Sequence, residues 1–243
     1  MNATLAEFVG TALLVLMGDG VVANVLLNKS KAHNAGWIVV TTGWALGVAL
    51  AVYCVGTISG AHLNPAVTIG LAAIGKFDAA LVVPYIAAQM AGAFTGAILV
   101  WLAFLPHWRV TEDPGTKLGV FCTAPAIRCA GCNLMTEIIG TAVLVLGVCA
   151  ILTPKNLQPE HGFDTGLGPL LVGVLVLGIG VSLGGPTGYA INPARDLGPR
   201  LAHAVLPIAG KGSSDWSYAW VPVVGPIIGG VAGALFYRLL WMH

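Results

Sequence analysis

The chain has 243 residues, of which 57% are hydrophobic and 9% charged, with a net charge of +1 and a mean hydropathy of +0.87. A soluble domain carries about 25% charged residues, so this chain must turn its outside to lipid, and it offers no basic face to nucleic acid. No cleavable export signal is evident, because nothing positive precedes Leu5 and the first apolar stretch is too long and glycine-broken.

In chain order, apolar runs predict six spans of about 20 residues, the length that a hydrocarbon core about 30 Å thick requires. They run from about Leu5 to Leu27, Gly36 to Val55, Ala80 to Phe104, Leu134 to Leu152, Leu167 to Leu183 and Ala219 to Trp241. Gly60-Ala61-His62-Leu63-Asn64-Pro65-Ala66 follows the second span, and Gly188-Tyr189-Ala190-Ile191-Asn192-Pro193-Ala194 follows the fifth. Asn is a preferred helix N-cap and Pro a preferred first helical residue, so each copy opens a helix. The helical runs last from Pro65 to about Gly75 and from Pro193 to about His203. Ten residues rise about 15 Å, half a hydrocarbon core, so two such pieces end to end would span it once. Non-helical backbone at that depth needs protein or a water-filled cavity around it. Both loops therefore belong at the centre of a bundle. A polar connection, Pro106 to about Cys132, separates the halves.

Those halves repeat. The segment from Glu7 to Leu16 matches that from Glu137 to Leu146 at an offset of 130, and the Asn-Pro-Ala copies match at 128. One domain, residues 1–243, is expected, with repeats at about 1–105 and 133–243. Three spans per half is an odd number, which inverts the second half and brings the two broken helices together at the midplane. As N-caps, Asn64 and Asn192 would use their side-chain oxygens on the backbone and leave their NH₂ groups as donors into the path. Both helix N-termini add positive potential. Such a junction accepts an uncharged oxygen-bearing molecule, repels cations and interrupts a proton wire. The plainer alternative is that the two Asn only cap helices.

Glu7 and Glu137 lie inside spans, where charge is costly unless satisfied. Asp19 has no counterpart, since Cys149 stands in its place; it falls about 18 Å along the helix from Glu7, near the opposite mouth, and no role is assigned to it. Five cysteines, an odd number, argue against a disulfide framework. Cys54 and Cys149 read as small apolar packing residues. Cys129-Ala130-Gly131-Cys132 leaves a disulfide open, and no second pair completes a metal site. Gly92-x-x-x-Gly96 and Gly225-x-x-x-Gly229 predict close helix crossings. With no nucleophile–base set, phosphate loop or metal cluster, neither an enzyme nor a cofactor is expected.

His62-Leu63-Asn64-Pro65-Ala66-Val67-Thr68 and Asn192-Pro193-Ala194-Arg195-Asp196 resemble the two signature loops of the aquaporin (major intrinsic protein) family. The second, continuing through Leu197-Gly198-Pro199-Arg200, is similar to the glycerol-facilitator branch. The likeness covers nearly the whole chain, including Trp216 and the stretch from Val221 to Pro226. It implies an all-α membrane protein with six spans and two re-entrant half-helices, assembled as a homotetramer in the cell membrane. It also implies a constriction of Trp44, Gly180, Tyr189 and Arg195 on the outer side of the Asn pair. Water-selective members usually carry His where Gly180 stands, so the missing side chain should widen the opening. Arg195 would donate to hydroxyls and oppose cations, while Trp44 and Tyr189 would offer a greasy wall with their polar tips wet. Alternatives are a plain ion pair between Arg195 and Asp196, and Trp44 as an interface anchor. Glu7 and Glu137 would brace the loops by accepting from backbone amides, with a proton relay as the sharper alternative. His62 would bond loop carbonyls or act as a gate. Asp196 after Arg195 matches the glycerol branch.

Glycerol, water and similar neutral solutes are the expected cargo. Tyr189 stands where the branch often has Phe, which also admits protonated lactic acid. The rivals are an ion-coupled secondary transporter and a structural or sensory protein with a closed pore. Termini inside follow from the resemblance alone: Lys29, Lys31, Arg109, Lys117 and Arg128 would then lie outside, against Lys76, Lys155 and Arg238 inside, contrary to the usual charge bias.

Overall fold

The computed structural model describes residues 1–153 and 166–242, and among these every regular element is a helix. Lys155 lies outside the described residues. Helix α1 covers Ala3–Leu26 and α2 Trp37–Ser59; the half-helix α3 covers Pro65–Ala73, and α4, after a 3₁₀ turn at Ala79–Leu81, covers Val82–Ala103. Two short helices follow, α5 (His107–Val110) and α6 (Pro114–Phe121). Then come α7 (Ala130–Ile151), α8 (Gly168–Leu183), the half-helix α9 (Pro193–Val205) and α10 (Val221–Trp241).

Five helices are long and apolar enough to cross a membrane: α1, α2, α4 with its leading turn, α7 and α10. The expected fifth span, α8, is apolar but has 16 residues, a rise of about 24 Å. The half-helices have 9 and 13 residues, together about 33 Å end to end, one hydrocarbon thickness. Polarity is arranged inside out. Ile38, Leu46, Val83, Ile139 and Leu239 are exposed, whereas Glu7, Asp19, Gln89, Glu137, Asp196 and Arg200 are buried. Costly polar groups sit inside the bundle, and lipid-compatible side chains cover it.

The halves pack alike. Helix α4 lies on α1 as α10 lies on α7, and each half-helix packs on the last long helix of the other half, α3 on α10 and α9 on α4. Small residues permit these crossings. A Cβ at Gly92 would overlap the Phe8 carbonyl, and one at Gly96 would lie 2.6 Å from the Ala12 carbonyl. In the second half, Cβ atoms at Gly229 and Gly233 would overlap the carbonyls of Ile138 and Ala142, the counterparts of Phe8 and Ala12. The second crossing thus extends one turn beyond the expected pair, although Gly225 also faces α7.

Two expectations need correction. The connection from Pro106 to Cys132 is not simply a polar linker: Trp108, Lys117, Val120 and Phe121 are buried, and α6 packs on α1 and α9. A short amphipathic stretch buries its apolar side only once a third partner is in place, so periodicity along the chain underestimates it. One cysteine also differs from expectation: Cys149 is buried, but Cys54 is exposed. The disulfide that the sequence left open joins Cys129 and Cys132 at the start of α7.

Candidate functional site

The two loops preceding the half-helices have one backbone written twice. Gly60, Ala61 and Leu63 have positive φ (81°, 48° and 52°), as do Gly188, Tyr189 and Ile191 (80°, 39° and 43°). Glycine adopts this region freely, but for the other four residues it costs about 1–3 kcal/mol each and persists only where the surroundings enforce it. The enforcing groups are the two buried glutamates. Glu7 Oε1 accepts from Ser59 Oγ and His62 N (2.7 and 2.9 Å), and Oε2 from Leu63 N and Gln89 Nε2 (2.7 and 2.8 Å). Glu137 Oε1 accepts from Thr187 Oγ1 and Ala190 N (2.7 and 3.0 Å), and Oε2 from Ile191 N (2.8 Å). A carboxylate is acceptor-only when ionised, and these amides turn toward it.

Asn64 and Asn192 cap α3 and α9 as anticipated. Asn64 Oδ1 accepts from Ala66 N at 2.9 Å, and Asn192 Oδ1 from Ala194 N at 3.0 Å and Arg195 N at 3.3 Å. Their NH₂ groups are not wholly given to the path. Asn64 Nδ2 donates to the Ile191 carbonyl and Asn192 Nδ2 to the Leu63 carbonyl, both at 2.8 Å. The loops are stitched crosswise, and each amide retains its second N–H.

A narrow cavity of about 130 Å³ runs past this junction, lined by Asn64, Asn192, the loop residues and apolar side chains such as Leu14, Val48, Val67, Leu144 and Val176. A wider one of about 440 Å³ opens beyond it, bordered by Trp37, Val40, Cys122, Thr123 and Gly188. Trp44, Tyr189 and Arg195 line both, so they stand where the wide mouth narrows. The Arg195 guanidinium carbon lies 4.0 Å from the centre of the Trp44 ring, within cation–π range. Among the described residues no protein acceptor takes a hydrogen bond from the Arg195 side chain, which leaves its donors available.

Gly180 borders neither cavity. A Cβ there would lie 2.9 Å from both Tyr189 Cζ and Thr41 Cγ2, so the Tyr189 ring, rather than the path, fills the space the missing side chain leaves. Trp37 fixes that ring edge-on at 5.7 Å and donates from Nε1 to the Gly180 carbonyl at 2.9 Å. The polar tips expected to be wet are buried instead: among the described residues, neither Trp44 Nε1 nor Tyr189 Oη has a hydrogen-bond partner.

Asp196 does not pair with Arg195. Its Oδ2 accepts from Thr123 N and Oγ1 (2.8 and 2.7 Å), and its Oδ1 from Arg200 Nε at 2.9 Å. Arg200, fully buried, also donates to the carbonyls of Ser214 and Thr123. This network clips the middle connection and the loop after α9 onto the wide mouth. Sequence reasoning missed Arg200, although its i,i+4 spacing from Asp196 was a usable signal. Asp19, unassigned from sequence, lies behind Arg195, with Oδ1 4.0 Å from Nη1. The His62 ring bonds Thr68 Oγ1 (3.1 Å) rather than loop carbonyls and packs edge-on to Phe77 and Tyr85.

An apolar helical bundle holding a mostly apolar passage, with amide donors at its waist, defines a multi-pass membrane channel. The chain belongs to the major intrinsic protein family, whose model matches residues 1–237. It is 64% identical over 241 residues to a probable glycerol uptake facilitator protein of Thermotoga maritima, covering 99% of this chain and 100% of that one. It is 59% identical over 238 residues to a glycerol uptake facilitator protein of Bacillus subtilis, covering 98% and 84%. The X-ray structure of the aquaglyceroporin from Plasmodium falciparum superposes with a TM-score of 0.83 at 30% identity, covering 98% and 95%. The fold is therefore the all-α aquaporin fold.

Proposed function

We propose that this chain is a passive channel of the cell membrane that carries glycerol, water and similar small neutral solutes and turns away protons and ions. The observation that carries the reading is the pair of crossed amides. Asn64 and Asn192 sit at the meeting point of two half-helix N-termini, each with one N–H in a fixed cross-bond and the other left for a solute oxygen. A water or hydroxyl held there accepts from the protein and donates only away from the junction, which breaks a proton wire, and both helix ends oppose a cation.

At the mouth, Trp44, Tyr189 and Arg195 form the selectivity filter and Gly180 makes room for it. Arg195 donates to hydroxyl oxygens on one side of the solute, while the aromatic faces receive its C–H edge. A polyol has that two-sidedness. Since Tyr189 Oη is buried, the tyrosine presents the path with a ring face, as phenylalanine would. This favours glycerol over protonated lactic acid as the principal cargo. Glu7 and Glu137 brace the loops: all four oxygens are engaged by loop or side-chain donors, an arrangement suited to an anchor rather than a proton relay, and hence to a channel rather than a coupled transporter. The reading takes the whole chain as one domain of two inverted repeats, working as a homotetramer with one pore per subunit and the filter on the outer side. Transport of this kind needs no cofactor and no catalysis.

A solute panel in reconstituted vesicles, followed by stopped-flow light scattering, tests the reading. Glycerol and water should enter faster than into empty vesicles, and bulkier polyols and lactic acid much less so. Lactic acid entering faster than glycerol would reject the assignment of cargo.

A further inference from the structure

Two carboxylates stand near Arg195, and only one is free to balance it. Asp196 is engaged on both oxygens by Thr123 and Arg200. Asp19 is 1% exposed, and among the described residues neither of its carboxylate oxygens has a hydrogen-bond partner and Arg195 Nη1 is the cation it faces, at 4.0 Å. It lines neither cavity, so it stands behind Arg195 and not in the path. Its neighbour on α1 belongs to the same arrangement. A Cβ at Gly18 would overlap the Trp44 ring, so this turn of α1 lies flat against the ring that also faces the guanidinium. The repeat supplies an internal control. At the equivalent places, 130 and 128 residues away, stand Cys149 and Val67; the acid and the base occur together in one arrangement, and neither occurs in the other.

We propose that Asp19 is a positioning residue of the filter. From behind, it neutralises the Arg195 guanidinium and, with the Trp44 face, fixes where that group sits. The constriction then offers hydrogen-bond donors to a hydroxyl without a net positive charge that would gather anions. Charge selectivity at this mouth is thereby divided between two sites. The half-helix ends reject cations, and the Asp19–Arg195 pair keeps the filter from admitting anions. A guanidinium stripped of its partner in a poorly solvated site is both mobile and uncompensated.

This inference rests on Arg195 belonging to the filter, and the experiment separates the two. Wild type, D19N and the double variant D19N/R195Q are reconstituted in vesicles containing a chloride-sensitive dye, and chloride entry is read alongside glycerol and water flux. D19N should raise chloride entry clearly above empty vesicles and lower glycerol flux about tenfold, with water flux reduced less. In D19N/R195Q, where both charges are gone, chloride exclusion should return. Should D19N fail to yield folded protein, recovery of folded channel in the double variant supports the charge-balance account, and a double variant no better recovered overturns it. A D19N channel that excludes chloride and carries glycerol like wild type overturns the inference, as does a double variant that leaks as much as D19N. Wild-type vesicles without glycerol flux would reject the function proposed above; a conducting wild type with a silent D19N rejects only the role of Asp19.

Discussion

The loop before α3 and the loop before α9 share a backbone and differ in what surrounds it. In both, a buried glutamate draws two successive amides and a hydroxyl toward itself, the same three positions carry positive φ, and an asparagine caps the half-helix while crossing to the other loop. Around the first loop, Gln89, Thr68, His62, Phe77 and Tyr85 form a closed cluster with no charge beyond Glu7. Around the second stand Arg195, Asp19, Asp196 and Arg200, with the middle connection folded over them. On the function proposed above, the shared part builds the waist of the channel, and the unshared part makes one mouth discriminating and leaves the other a brace.

The largest expected effects come from removing the braces. Glu7 holds four donors and Glu137 three, and each buried group left without its partner costs about 1–3 kcal/mol. Against a total margin of about 5–15 kcal/mol, E7A should abolish recovery of folded channel. E137A should lower the thermal midpoint in detergent strongly but by less than E7A; a larger loss for E137A would contradict the inventory of donors.

Next in size is G180H. Its Cβ collides with Tyr189 and Thr41, so the tyrosine ring must move into the path. Glycerol flux should fall about tenfold or more, with water flux reduced far less; equal losses would place Gly180 outside the filter. N64A and N192A come third and sharpen the symmetry. Each removes one N-cap, worth about 1 kcal/mol, and one cross-bond, so stability and glycerol flux should fall by similar amounts in both. A one-sided loss would show that the waist is not shared equally.

The smallest effect should be that of Y189F, with glycerol flux within about twofold of wild type, because the buried hydroxyl has no partner to lose among the described residues. Acidity should also matter little at the wide mouth. Burial alone would raise the Asp215 carboxyl, but hydrogen bonds from Arg128 and Ser217 outweigh it and hold it below the ordinary carboxylate range. A depressed folded value means the pair's contribution is complete above the unfolded pKa of about 3.9 and fades only as pH falls below it. Since Arg128 is exposed, that contribution is small. D215N should therefore melt slightly below wild type by an offset that is constant between pH 5 and 8 and shrinks only as pH falls below about 4; an offset that changes within pH 5 to 8 would contradict this assignment.

Much of this architecture was legible in the chain because it is written twice. The Asn-Pro-Ala pair, the Glu7–Glu137 match and the Gly92–Gly96 crossing all follow from residues whose roles are local or repeated. What escaped notice is unrepeated and distant in sequence. Asp19 meets Arg195 across 176 residues, and Thr123 reaches Asp196 from a connection whose short helices carry little periodic signal. The direction of an amide was equally hidden. A cap motif specifies what the Asn oxygen does, whereas the Nδ2 bonds to Ile191 and Leu63 exist only once both loops meet. The wet tip expected for Tyr189 failed for a related reason, since the space beside Gly180 receives the hydroxyl end of its ring.

The most direct test of the account is a simultaneous reading of glycerol and proton flux in vesicles of the purified channel. The account predicts glycerol entry proportional to its gradient, unchanged by an imposed pH or sodium gradient, with no proton leak beyond that of empty vesicles. Glycerol accumulating against its gradient when a proton or sodium gradient is applied, or protons crossing along with it, would contradict it.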